Sequence, residues 1–91
     1  MDVRLIIAII RRDKLNDVEA KVRELGAERI DISSVKGYGE HRNFFAKDWM
    51  GDEVRLEIYT KKEQVKTIAV GIMDAAHTGM PGDGIVVVVP V

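Results

Sequence analysis

Thr78-Gly79-Met80-Pro81-Gly82-Asp83-Gly84-Ile85-Val86-Val87-Val88-Val89 is the stretch that decides the fold. Its second half is wholly apolar and β-branched, which predicts a last strand. Its first half, with Gly79 and Pro81, stops a helix. That helix is written upstream in Val65, Ile68, Ala69, Ile72, Met73 and Ala76, a wide apolar face at helical spacing. Before it, Val54, Leu56 and Ile58 alternate with Arg55, Glu57 and Tyr59, predicting a third strand, and Thr60 is the predicted cap of the helix. Further back, residues 3–10 are apolar on both alternating faces and read as a strand buried on both sides. Asp13 is the predicted N-cap of a first helix carrying Leu15, Val18, Val22 and Leu25, with Gly26 as its stop. Ile30 and Ile32 alternate with Arg29, Asp31 and Ser33, giving a half-buried strand to Lys36, whereas residues 37–52 show no clean periodicity. The order βαββαβ predicts an α+β, ferredoxin-like domain: an antiparallel four-stranded sheet with two helices on one face. That fold hosts many functions, so function must come from the residues.

Composition narrows the classes. A chain of 91 residues makes one domain, residues 1–91, and 46% apolar content is enough for a core. The net charge of −1 argues against a general nucleic-acid binder. The pairs Arg11-Arg12 and Lys61-Lys62 sit at strand-to-helix junctions and read as solvated surface. Without cysteine there is no disulfide and no thiolate metal site. The N-terminal apolar stretch is too short for a membrane span and carries no cleavage pattern, so a cytoplasmic protein without membrane insertion is expected. Two helices cover one face of the sheet only. The first strand offers Leu5, Ile7 and Ile9 on one side and Ile6, Ala8 and Ile10 on the other, and the last strand, expected at a sheet edge, is wholly apolar. Such an edge invites pairing with another chain, which predicts an oligomer.

Two glycine-rich segments stand out: Val35-Lys36-Gly37-Tyr38-Gly39, and Thr78-Gly79 with Gly82-Asp83-Gly84. Glycines in turns admit positive φ and close approach to a ligand, and successive amides can form an anion-binding concavity. With Ala8-Ile9-Ile10-Arg11 and Lys14-Leu15-Asn16-Asp17-Val18 near the start, these segments resemble, in the right order, the PII signal-transduction family. The resemblance implies a homotrimer. It makes residues 37–52 the counterpart of that family's T-loop, here shorter than usual, and residues 78–84 the counterpart of its B-loop.

It also implies a ligand site. In that family ATP or ADP lies in clefts between subunits, and the positions that match are Gly37, Gly39, Glu57, Thr78, Gly79, Gly82, Asp83 and Gly84. The expected ligand is an adenine nucleotide (ATP, ADP or AMP) or another small anion. Four departures bear on it. Ile85 stands where a basic residue usually follows Gly-Asp-Gly. His41 aligns with the glutamine that ligates the family's bound metal. Glu53 replaces the lysine that pairs with 2-oxoglutarate, and a carboxylate there repels the dicarboxylate. The sequence ends at Val89-Pro90-Val91, before the segment whose arginines grip the phosphates. Sensing of 2-oxoglutarate is therefore not expected, and ATP affinity is expected to be weak unless Arg11, Arg12 or a neighbour's Arg42 substitutes.

Four of the chain's five aromatic residues, Tyr38, Phe44, Phe45 and Trp49, share one window with His41 and Arg42. Aromatics mixed with charge suit a recognition loop. His41, Arg42, Phe44, Phe45 and Trp49 are the predicted contacts to a protein partner such as a membrane transporter or a metabolic enzyme. No counterpart of the T-loop tyrosine that some bacterial members modify is evident. The alternatives are a ligand-free docking scaffold, or a trimeric metal-binding protein of the CutA type using His41, with His77, Glu40 or Asp83, since imidazole and carboxylate suit zinc or copper. No catalytic set of nucleophile, base and oxyanion donors is present in the sequence pattern, so an enzyme is not expected.

Overall fold

The structure, a computed structural model, describes residues 3–38, 50–79 and 84–90. Strand β1 (Val3–Arg11) leads through one 3-10 turn (Arg12–Lys14) into helix α1 (Leu15–Glu24). Strands β2 (Arg29–Tyr38) and β3 (Met50–Lys61) follow. A second 3-10 turn (Lys62–Gln64), helix α2 (Val65–Ala76) and strand β4 (Gly84–Pro90) complete the order. The sheet runs β2-β3-β1-β4 with every neighbouring pair antiparallel, the ferredoxin-like arrangement expected, with β4 at an edge.

The core follows from the alternation. Ile6, Ala8 and Ile10 of β1 and Val54, Leu56 and Ile58 of β3 point to one face and are buried under Val18 and Val22 of α1 and Ile68 and Ile72 of α2. Each of the valine, leucine and isoleucine side chains contributes about 1.5–3 kcal/mol by leaving water. The other face of β1 differs from the two-sided burial expected. Leu5, Ile7 and Ile9 are only half-buried, because both helices lie on the opposite side.

The two halves repeat each other closely. Arg11-Arg12-Asp13-Lys14-Leu15 and Lys61-Lys62-Glu63-Gln64-Val65 each join a strand to a helix through the same turn. Arg11 (φ −65, ψ 140) matches Lys61 (φ −71, ψ 147), and Lys14 (φ −101, ψ −1) matches Gln64 (φ −98, ψ −8). This turn overturns both predicted caps. Asp13 lies inside the 3-10 turn, where its carboxylate sits 3.6 Å from Arg11 Nε, and neither helix start has a side-chain cap. Thr60 is still strand: β3 runs one residue further, held by the pairing of Lys61 with Val3, and Thr60 Oγ1 is buried without a hydrogen-bond partner among the described residues.

The strands around the 37–52 window are also longer than the sequence pattern. β2 continues to Tyr38 and β3 begins at Met50, so Gly37 is not in a reversing turn but in a strand, opposite Gly51.

Candidate functional site

The segment after α2 is positioned by its glycines. α2 ends at Ala76, and the His77 amide donates to the Asp74 carbonyl at 3.4 Å. The chain then turns at Gly79 (φ +78) and re-enters the sheet at Gly84 (φ +130), opposite Ile10. Gly84 is forced by contact as well as by conformation. A Cβ there would overlap the Ile9 carbonyl oxygen and lie 3.1 Å from Ile10 Cα. An open cleft of about 390 Å³ separates the last turn of α2 from the start of β4, lined by Ile10, Met73, Ala76, His77, Gly84, Ile85 and Val86. Met73, 59% exposed, borders it on the α2 side. Thr78 lies half-buried at the same end.

Of the predicted ligand residues, Gly84 lines this cleft, and Thr78 and Gly79 follow His77 beyond the end of α2. Gly37 and Glu57 do not join them within one chain. Gly37 is the penultimate residue of β2 at one edge of the sheet while Gly84 opens β4 at the other, at the same end. Three strand spacings and three rungs separate them, about 17 Å. Glu57 shares a row with Asp31, Ile7 and Val87, on the face away from the helices. Its carboxylate is 3.5 Å from Arg55 Nε, a contact without hydrogen-bond geometry. Beside it Arg29 donates to Asp31 at 3.1 Å, and that hydrogen bond, with the carboxylate's charge, raises the guanidinium above its ordinary range. Gly39, Gly82 and Asp83, and the predicted partner contacts His41, Arg42, Phe44, Phe45 and Trp49, lie outside the described residues.

The departures acquire a structural setting. Glu53 stands directly opposite Arg11 in the β1–β3 ladder, so the carboxylate has a cross-strand cation where the family resemblance implied a lysine. Arg11 also meets Asp13, and Arg12 Nη2 donates to Ser34 Oγ at 2.8 Å across β3. Both arginines therefore have local partners. Ile85 pairs with Ile9 on the face away from the helices and puts an exposed hydrocarbon where a counter-charge was looked for. Among the described residues no group of three or more His, Cys, Asp and Glu side chains gathers as a metal site. The metal alternative otherwise rests on His41, Glu40 and Asp83, outside those residues. Sequence reading missed the cleft walls Met73 and Val86 and the pairing of Gly37 with Gly51. The first needs the packing of α2 over β4, and the second needs the register.

Comparison with known proteins gives this geometry its context. Residues 3–91 match the family model described as nitrogen regulatory protein P-II. The chain belongs to the nitrogen regulatory protein P-II family. It is 34% identical to nitrogen regulatory protein GlnK2 of Haloferax mediterranei, over 98% of this chain and 78% of that protein. It is 30% identical to nitrogen regulatory protein P-II of Azospirillum brasilense, over 98% of this chain and 86% of that one. A crystal structure of Arabidopsis thaliana PII bound to citrate superposes with a TM-score of 0.83 at 31% identity, covering 99% of this chain and 78% of that one. Against the full Arabidopsis thaliana P-II homologue, the match spans 92% of this chain but 47% of the relative. This is a P-II regulatory protein by family and by fold. No helix among its described residues is long and apolar enough to cross a membrane.

Proposed function

We propose that this P-II protein is a homotrimeric cytoplasmic regulator, not an enzyme. In this reading it senses a small anion of the adenine-nucleotide kind in clefts between subunits, and ligand occupancy decides whether the loop spanning residues 40–52 docks on a transporter or enzyme. The observation that carries the reading is the separation of Gly37 from Gly84. One glycine segment closes the β2 edge and the other opens the β4 edge at the same end of the sheet. A second copy set against the first would bring them into one cleft, and the same contact would cover the apolar face of Leu5, Ile7, Ile9 and Val87. The exposed hydrocarbon of β4 supports this: Ile85 and Val87, on that face, are 55% and 42% exposed.

The charges set the ligand class. Glu53 facing Arg11 offers no cation to a dicarboxylate such as 2-oxoglutarate, and Ile85 offers none to a phosphate, so backbone amides near Gly82 and Gly84 would carry most of the anion binding. Affinity for nucleotide is accordingly modest. A ligand acts as a switch only through unequal affinity for the two loop states.

A thermal-shift panel on the purified protein tests this, with ATP, ADP, AMP, cyclic dinucleotides, 2-oxoglutarate, bicarbonate and divalent metals. A ligand at a hundredfold excess over Kd adds about 2.7 kcal/mol, or about 10–20 °C for a domain of this size. A nucleotide shift without a 2-oxoglutarate shift is the expected result. A shift with metal alone would replace the proposal with CutA-type metal chemistry, and no shift at all would leave a ligand-free docking scaffold.

A further inference from the structure

We infer that the cleft between α2 and β4 is a binding site for a small hydrophobic cation, an alkyl- or arylammonium ion. The repeat between the two halves of the chain sets this cleft apart. Where α1 ends, Gly26 turns at φ +85, and the Gly26 and Ala27 amides donate back to the Arg23 and Val22 carbonyls at 3.1 and 3.3 Å. The Glu28 amide then donates to the Tyr59 carbonyl of β3 at 2.9 Å. That turn caps the helix and closes it against the sheet. The end of α2 is built otherwise. Its connection to β4 is longer, residues 77–83 against residues 25–28. The His77 amide, counterpart of the Ala27 amide, donates instead to the Asp74 carbonyl at 3.4 Å, and His77 is extended (φ −67, ψ 128). The chain does not fold back over the helix end at that residue, and the cleft of about 390 Å³ opens there.

The charges of the two helix ends differ in the same way. The last turn of a helix holds carbonyls without intrahelical partners and the negative end of the helix dipole, which a cation complements. α1 supplies its own cations, Lys21 and Arg23, in its last turn. α2 has no basic residue there, and Met73 stands at the position that matches Arg23. Asp74 adds an exposed carboxylate to the same turn, and no lysine or arginine is among the described residues that line the cleft. Ala76 and His77 bring this uncompensated helix end to the cleft rim. Below the rim the walls are hydrocarbon and thioether: Ile10, Met73, Ala76 and Val86, with Ile10 and Ala76 buried. An apolar cleft of this size with a few polar groups at its edge suits a compact ligand, and a methionine wall adapts to an aryl ring. The ligand's ammonium group would take the place that Arg23 takes in the first half. Ile10 and Val86 belong to the face of the sheet under the helices, so the site depends neither on the subunit contact nor on the anion reading proposed above.

Titrating the isotope-labelled full chain with phenethylamine, phenethyl alcohol and phenylpropionate, and following its amide chemical shifts, tests this. The three probes share an apolar body and differ in the charge of the head. The amine should bind about threefold to tenfold more tightly than the alcohol, the carboxylate should bind most weakly, and the shifts should centre on residues 73–77 and 84–86. Met73→Arg, at an exposed position, copies Arg23 and gives α2 a cation of its own. It should weaken amine binding by about fivefold or more and improve binding of the carboxylate. In the wild type, equal binding of amine and alcohol, tighter binding of the carboxylate, or shifts that avoid those residues would each overturn the inference without recourse to a variant. So would amine binding in Met73→Arg as tight as in the wild type.

Discussion

Replacing Gly84 by alanine is the sharpest test of how the α2–β4 connection is built. Gly84 has φ +130, a conformation that L-residues avoid, and an added Cβ would collide with the Ile9 carbonyl oxygen and crowd Ile10 Cα at 3.1 Å. The backbone penalty is about 1–3 kcal/mol. Because the obstacle is main chain in the adjacent strand, no rotamer change relieves it. The start of β4 must lift from β1, forfeiting a hydrogen bond of the first rung worth about 1 kcal/mol and exposing part of the cleft wall. Together these predict a loss of about 3–5 kcal/mol from a total near 5–15 kcal/mol. For a domain of this size that lowers Tm by about 15–30 °C. Gly79→Ala is the internal control. Gly79 also has positive φ, but among the described residues its added Cβ meets only His77 Nε2 at 3.9 Å, so the backbone penalty dominates. Urea and thermal unfolding of both variants at equal protein concentration measure the difference. The reasoning is refuted if Gly84→Ala loses less than about 1 kcal/mol, or if the two variants are equally stable. The outcome matters for function too, since a ligand-binding test that substitutes Gly84 would report loss of fold rather than loss of amide contacts.

Two further changes probe separate points. Ile85→Lys restores a cation beside the glycine segment at an exposed position, and should tighten nucleotide binding by about tenfold or more through a charge-assisted contact to phosphate. An unchanged Kd by calorimetry would remove the α2–β4 segment from the proposed phosphate site. Thr60→Val exchanges a buried hydroxyl with no partner for a methyl group of similar size, and should raise stability by about 1 kcal/mol. Destabilisation in urea titration would mean that the hydroxyl has a hydrogen-bond partner that matters.

Where the chain's hydrophobic pattern was under pressure from packing, it was readable. Ile6, Ala8 and Ile10 alternate because they face two helices, Val18 and Val22 recur because they face the sheet, and these two periodicities alone gave the element order. The ends of β2 and β3 were not readable for the same reason reversed. Beyond Glu53 the ribbon leaves its third strand, so pairing with β1 no longer constrains residues 36–38 and 50–52. The capping error had a different origin. Asp13 and Thr60 are good cap chemistry, but antiparallel pairing carries both strands on to Arg11 and Lys61, and a 3-10 turn then makes the entry into each helix. Gly79 and Gly84 were legible as the glycines that turn the chain between α2 and β4, because both take positive φ. The 17 Å or so between Gly37 and Gly84 was not, because strand order, not spacing in sequence, sets it.

That strand order also explains why sensing and assembly would be one physical problem on the proposed reading. The face of the sheet away from the helices is divided. Its β1–β4 half carries Leu5, Ile7, Ile9, Ile85 and Val87, and its β2–β3 half carries Arg29, Asp31, Arg55 and Glu57. Hydrocarbon drives a second copy onto the first half with little directional preference. The charged half discriminates, because a misregistered copy would leave Asp31 and Glu57, already neighbours of like sign, facing further unpaired charge. Only a contact that buries the apolar half and leaves the charged half solvated or matched brings a β2 edge beside a β4 edge. A cleft formed in that way has walls from two chains. On that reading a ligand filling the cleft would stabilise the assembly by mass action, so that occupancy and subunit contact would rise and fall together.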